Sequence, residues 1–166
     1  MVNIELISDN IPLIISEIVN IQEIAKYLYY NVSSPQSQPD LALPANNLIM
    51  TKVFPYPFLS TSVESDCSHI RIYYPDGVFD ESGEVLGTSI FFDIVVAKSL
   101  WLVNDGKSSI RPYMIMHYLS KHFQSKSIGT LGRICFSNFV HLNVDERFDA
   151  IRLQADMTIF GGISND

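Results

Sequence analysis

The sequence predicts an α+β fold, a mainly antiparallel sheet with two helices packed on it. Three observations carry this expectation. Residues 11–30 place Ile11, Ile14, Ile15, Ile18, Ile21, Ala25 and Leu28 at three- and four-residue spacings, the period of a helix with one buried stripe. Residues 88–98 and 150–160 alternate with a period of two, as strands do. Between them the runs follow one another as helix, strands, helix, strands, which is an α+β plan.

Taken in order, the first helix has Ser8, Asp9 and Asn10 ahead of it as capping oxygens and Pro12 in its first turn, where a missing N–H costs nothing. Asn31-Val32-Ser33-Ser34-Pro35 ends it. Residues 33–47 carry Pro35, Pro39 and Pro44 without periodicity, and predict an extended, polyproline-like arm. Strands are expected over 48–54, stopped by Pro55-Tyr56-Pro57, and over 69–74, where Ile70, Ile72 and Tyr74 alternate with His69, Arg71 and Tyr73. Pro75-Asp76-Gly77 opens a protruding acidic loop over about 75–87 that feeds the strand at 88–98. That strand is apolar on both faces, with Ile90, Phe92, Ile94 and Val96 on one and Phe91, Asp93 and Val95 on the other, as befits a central position.

Asn104-Asp105-Gly106 is a turn, and Ser108 or Ser109 is the expected cap of a second helix with Pro112 in its first turn and Ile115, Met116, Leu119 and Phe123 as its stripe. Lys121 and Lys126 suit its C-terminal end. It should stop before Gly129. A β-rich run over 133–144, a polar tip at Asp145-Glu146-Arg147 and the alternating strand 150–160 follow, and 161–166 reads as a flexible tail. We find no internal repeat and expect a single domain over 1–166.

Composition narrows the function. The chain has 166 residues, a formal charge of −7, 47% hydrophobic residues and only 17% charged ones. Global disorder is excluded, and the sign of the charge argues against gripping nucleic acid through its phosphates. No apolar run reaches the ~18 to 20 residues of a membrane span, and the N-terminus has no basic stretch ahead of its apolar segment, so no membrane association or export signal is expected. Cys67 and Cys135 form no CxxC and read as free thiols. Low charge with high apolar content suggests that other subunits cover part of the surface.

Candidates for chemistry are few. His117 and His122 are five apart and diverge on a helix, which disfavours a metal site. Cys135 and His141 share a strand face but stand roughly 20 Å apart at about 3.3 Å per residue. Asp93 in its apolar strand is read as exposed or paired with Arg or Lys in preference to a carboxylate of raised pKa. Asp76, Asp80, Glu81 and Glu84 lack the alternating frame of a calcium loop, so a solvated loop is the better reading. Trp101 and the tyrosines read as core or interface. We expect no catalytic residues, no metal and no cofactor.

The run from Thr88 to Phe160 joins a strong strand (TSIFFDIVVAKSLWLV), a polar turn, a helix from Arg111-Pro112 through YMIMHYLSKHF, a glycine-marked strand (GRICFSNFVHLNV), the tip DERF and the terminal strand DAIRLQADMTIF. It resembles the tail-terminator and tail-completion proteins of long-tailed bacteriophages. The leading helix, its YLYYNVSSP exit and the proline-rich arm are similar to the start of neck proteins from phages of Gram-positive hosts.

The resemblance implies a non-enzymatic virion protein, made in the host cytoplasm, whose six-subunit ring at the neck caps the tail tube and joins tail to head. Its partners would be further copies of itself, the tube protein and head-completion or connector proteins, with DNA passing through the lumen unbound. On this reading Asp76, Asp80, Glu81 and Glu84 face the lumen or the tube-facing rim, where negative charge lets DNA slide. The expected subunit contacts are Pro35, Pro39, Leu41 and Leu43 of the arm and Asp145, Glu146, Arg147 and Phe148 of the tip. The alternatives are a head-completion or connector ring and a small ligand-binding module or enzyme; the last predicts a ligand-responsive monomer or dimer.

Overall fold

The computed structural model describes residues 5–59, 64–83, 85–129 and 132–160. Its helices are α1 (Glu5–Asn20), α2 (Gln22–Tyr29), α3 (Pro44–Leu48) and α4 (Arg111–Phe123). Its strands are β1 (Val53–Phe54), β2 (Ser68–Tyr73), β3 (Gly77–Phe79), β4 (Val85–Ala97), β5 (Leu102–Asn104), β6 (Ser108–Ile110), β7 (Cys135–Asn143) and β8 (Phe148–Phe160). The fold is α+β, with a mainly antiparallel six-stranded sheet in the order β1-β2-β4-β8-β7, β3 pairing beside β4, and a separate β5–β6 hairpin. Only β1 and β2 run parallel.

β4 and β8 pair along their whole length, from Val85 with Phe160 to Ala97 with Phe148, and form the spine of the sheet. Both were legible as strands. On the first face of the sheet Ile70, Ile72, Ile90, Phe92, Ile94, Leu153 and Ala155 pack against Ile14, Ile18, Ile24, Leu28, Ile115, Leu119 and Phe123 of α1, α2 and α4. A smaller apolar group, Cys67, Val95, Ala97, Phe148 and Ala150, lies on the second face.

The helices differ from expectation in three respects. The first helix is two, because Ile21 adopts an extended backbone between α1 and α2. Ser8, Asp9 and Asn10 are not caps and Pro12 is interior, since half-buried Ile7 carries the stripe of Ile11, Ile14 and Ile18 a further turn towards the N-terminus. Ser108 and Ser109 do not cap α4. They belong to β6, and the Arg111 N–H is held by the Trp101 carbonyl at 2.8 Å.

The segment 33–47 is not an extended arm. Its first part is pinned to the β5–β6 turn: the Asn104 N–H donates to the Ser33 carbonyl at 2.6 Å, Ser34 Oγ donates to the Asn104 carbonyl at 2.7 Å, and Asp105 accepts the Gln36 N–H at 2.9 Å. Further on, Gln22 brackets the backbone of Leu41, accepting its N–H at 3.0 Å and donating to its carbonyl at 2.9 Å, which sends the Leu41 side chain into the core. Pro44 then starts α3. These contacts use up the backbone groups that an arm would leave to water.

The strand expected at 48–54 shrinks to Val53–Phe54. Leu48 closes α3 and Met50 takes a positive φ of 60°, which turns the chain before it can extend. The acidic loop is shorter than 75–87 because β3 and the start of β4 pair into a hairpin. The expected tail at 161–166 lies outside the described residues.

Arg111 is a fully buried cation that holds the layers together. Its guanidinium donates to the carbonyls of Leu100 at 2.9 Å, Tyr27 at 2.7 Å, Tyr30 at 3.0 Å and Val32, so the end of α2 and the chain leaving it are fixed to the start of α4. Burial lowers its pKa to about 10, still charged at neutral pH. Glu17 ties α1 to the end of α4, meeting His122 at 2.7 Å and Lys126 at 2.5 Å, and the Lys126 bond pulls its pKa below the usual carboxylate range.

Candidate functional site

The helices cover one face of the sheet, which makes its second face and its edges the candidate surface for function. Alternation along the paired strands builds the second face from Cys67, His69, Arg71 and Tyr73, from Phe91, Asp93, Val95 and Ala97, and from Phe148, Ala150, Arg152 and Gln154. It grades from apolar near Ala97 and Phe148, through charged, to polar at Ser89, Gln154 and Asp156.

In the charged zone Asp93 is fully buried. Its carboxylate accepts from Arg71 Nη2 at 3.0 Å, Tyr73 Oη at 3.0 Å, Arg152 Nε at 2.7 Å and Arg152 Nη2 at 3.0 Å. Arg152 also lies over the Phe91 ring, 4.2 Å from its centroid. Asp93 thus takes the paired reading, not that of a free carboxylate. Two guanidiniums against one carboxylate leave the cluster cationic, and it laces β2, β4 and β8 together at one level.

In the apolar zone His69 is enclosed by rings. Phe58 stacks on Phe54 at 4.0 Å, and both meet the imidazole edge-on, at 5.5 and 5.9 Å. Burial lowers the His69 pKa to about 3. Cys67 Sγ lies 4.0 Å from His69 Nδ1, a pair that sequence analysis missed although residues two apart on a strand share a face. Burial raises the pKa of the thiol, so the pair is neutral thiol and neutral imidazole and makes no activated nucleophile.

The remaining candidates separate. His122 contacts Glu17, whereas His117 meets the Tyr118 ring. Trp101 stacks on His141 at 5.8 Å. Among the described residues no group of three or more His, Cys, Asp or Glu is placed to hold a metal ion.

Asp76, Asp80 and Glu81 are all exposed on the β3–β4 hairpin, and Glu84 lies outside the described residues. Of the expected subunit contacts, Pro39, Leu43, Glu146 and Arg147 are exposed, Asp145 is half-buried, and Pro35, Leu41 and Phe148 are buried in this chain. Those three are corrections: Pro35 and Leu41 are drawn in by the hydrogen bonds of the folded arm, and Phe148 fills the apolar group under Val95 and Ala97. Asp145 Oδ1 accepts the N–H groups of Arg147 and Phe148, both at 2.7 Å, and Arg147 pairs with Asp66 at 2.9 Å, so the tip is braced by its own chain.

Two edges complete the surface. β7 ends the sheet on one side, and its exposed side chains include Phe139 (54% exposed) and Val140 (43%). On the other side β3 pairs only with β4 and exposes Val78 (73%) and Phe79 (49%).

A family model described as YomW matches residues 22–157, from the first residue of α2 to near the end of β8. The chain belongs to the YomW family. That family is phage-type, in keeping with the phage association implied by the sequence. Within this YomW-family chain the matched stretch includes the second face, the hairpin and both edges, with α1 before it. None of the curated proteins compared with the chain matches it. No described helix is long and apolar enough to cross a membrane.

Proposed function

We propose that the chain is a structural virion protein that forms a ring, six copies around, at the phage neck, where it caps the tail tube and joins tail to head. One observation carries the reading: the helices cover only one face of the sheet, while its two opposite edges expose Phe139 and Val140 on one side and Val78 and Phe79 on the other. Two different apolar edges on one body suit contacts between unlike surfaces, which close into rings. The phage-type family supports the setting.

In this proposal the role is non-enzymatic. Its partners are other copies, the tube protein and head-completion or connector proteins, and its place is the virion after synthesis in the host cytoplasm. The exposed carboxylates Asp76, Asp80 and Glu81 face the lumen or the tube-facing rim and keep DNA from sticking. Neutralising them together should slow DNA ejection, and unchanged infectivity and ejection would remove the lumen assignment.

Electron microscopy of lysates lacking the protein tests the role. Overlong tubes and unjoined heads are expected. Normal-length tails beside heads that lose their DNA would assign it to head completion, and intact infectious particles would overturn the proposal.

A further inference from the structure

The two edges of the sheet fit one another. We propose that the β7 edge of one copy receives the β3 edge of the next, so that the sheet runs on from copy to copy. The head-to-tail sense of this contact rests on the ring reading; the choice of edges rests on four observations.

First, β7 is an open edge that lacks the usual protection. Its nine residues, CFSNFVHLN, contain no Lys, Arg, Asp, Glu or Pro, and seven of them are exposed. Exposed edges are ordinarily blunted by charge, proline or brevity, because their unpaired backbone groups recruit another strand. A register shift lies between Phe136 and Asn138, but from Asn138 to Asn143 the pairing with β8 is regular, which leaves the outward side of that stretch in strand geometry.

Second, the directions agree. β4 and β7 are both antiparallel to β8, and β3 is antiparallel to β4. The β3 of a neighbour set against β7 therefore runs antiparallel to it, the commoner and slightly stronger pairing.

Third, the levels agree. β3 pairs with residues 86–88 of β4, those pair with 157–159 of β8, and β7 begins where Cys135 meets Asp156. Copies side by side at one height place β3 against the start of β7. Arg133, exposed just ahead of β7, then comes to the level of Asp80 and Glu81, just beyond the end of β3. The charges are complementary across the junction.

Fourth, the alternative leaves apolar surface uncovered. Pairing β7 with the β7 of a second copy stops at a dimer with Val78 and Phe79 still in water, whereas β7 against β3 covers both edges at once.

Two double variants test this. Phe139→Lys with Val140→Lys alters β7, and Val78→Lys with Phe79→Lys alters β3; circular dichroism and thermal melts check that each full-length chain still folds. In sedimentation velocity each variant alone should self-associate more weakly than the wild type by about tenfold or more. Their equimolar mixture should form a one-to-one dimer and nothing larger, since each member keeps one intact edge. A β3 variant that still dimerises, a β7 variant that assembles like the wild type, or a wild type that stays monomeric at every attainable concentration overturns the inference.

Charge exchange gives a second route should a double variant not fold. Arg133→Glu alone and Glu81→Lys alone should each weaken association, and an equimolar mixture of the two chains should recover it through the one junction whose charges are again opposite; no recovery overturns the pairing of these edges. A normal ring built from β7 variants would refute this inference and leave the neck ring standing, while particles with no ring would refute the latter.

Discussion

Asp93→Asn offers a sharp test of how the second face is held. Asp93 is fully buried and accepts four hydrogen bonds from Arg71, Tyr73 and Arg152 at 2.7 to 3.0 Å. The amide keeps the shape but removes the negative charge and turns one acceptor into a donor, leaving two guanidiniums face to face in a poorly hydrated site. Removing one partner of a buried ion pair costs about 3 to 5 kcal/mol, a large share of the roughly 5 to 15 kcal/mol that holds a domain together. For a chain of 166 residues, at about 2 to 4 °C per kcal/mol, the melting temperature should fall by roughly 10 °C.

The same argument makes a second, opposite forecast. Replacing the cluster as a whole, Asp93→Leu with Arg71→Met and Arg152→Met, removes the uncompensated charge and should restore most of the loss, because an apolar replacement of a buried ionic group is often neutral or stabilising. Urea unfolding of the two variants beside the wild type measures both. A single variant within about 1 kcal/mol of the wild type, beyond which a buried pair and a surface pair differ, would refute the account of Asp93 as the anchor of β2, β4 and β8.

Two further predictions concern other buried groups. The His69 pKa in the folded chain, about 3, lies below its ordinary 6.5, so its contribution to stability is complete above pH 6.5 and is lost as pH falls towards 3, by about 2 kcal/mol between pH 6.5 and 5. Denaturant titrations across that range should show this slope, and His69→Phe should flatten it; an unchanged slope would place the acid sensitivity elsewhere. Arg111→Met leaves the carbonyls of Tyr27, Tyr30, Val32 and Leu100 without their shared donor and should cost about 3 kcal/mol or more. Guanidinium unfolding reads this, and a cost below about 1 kcal/mol, that of one ordinary hydrogen bond, would contradict the bracing role given to it.

How far the sequence disclosed the structure depended on whether the signal was local. β4 and β8 were legible because a strand apolar on both faces and a strand with clean alternation carry their own pattern. The stripe of α1, α2 and α4 was legible for the same reason. The fold of residues 33–47 was not, since Pro35 and Leu41 are buried by bonds to Asp105 and Gln22, partners that no periodicity announces. Arg111 was visible only as the residue before Pro112, because its carbonyl partners lie as much as 84 positions away.

The candidate surface divides similarly. The acidic hairpin stood out by composition, and Asp93 by its charge in an apolar run. The cationic balance around Asp93 needed the register of three strands, which sets Arg71 and Arg152 on either side of it. The open edge of β7 needed the order of the sheet, because a strand read from sequence does not show which side lacks a neighbour.

The most direct test of the central claim is to find the protein in purified phage particles by electron cryomicroscopy of the neck. The account predicts a closed ring of this chain around the tail axis, set between tube and head, with the β7 edge of each copy against the β3 edge of the next. Mature particles that carry no copies of the chain would contradict it.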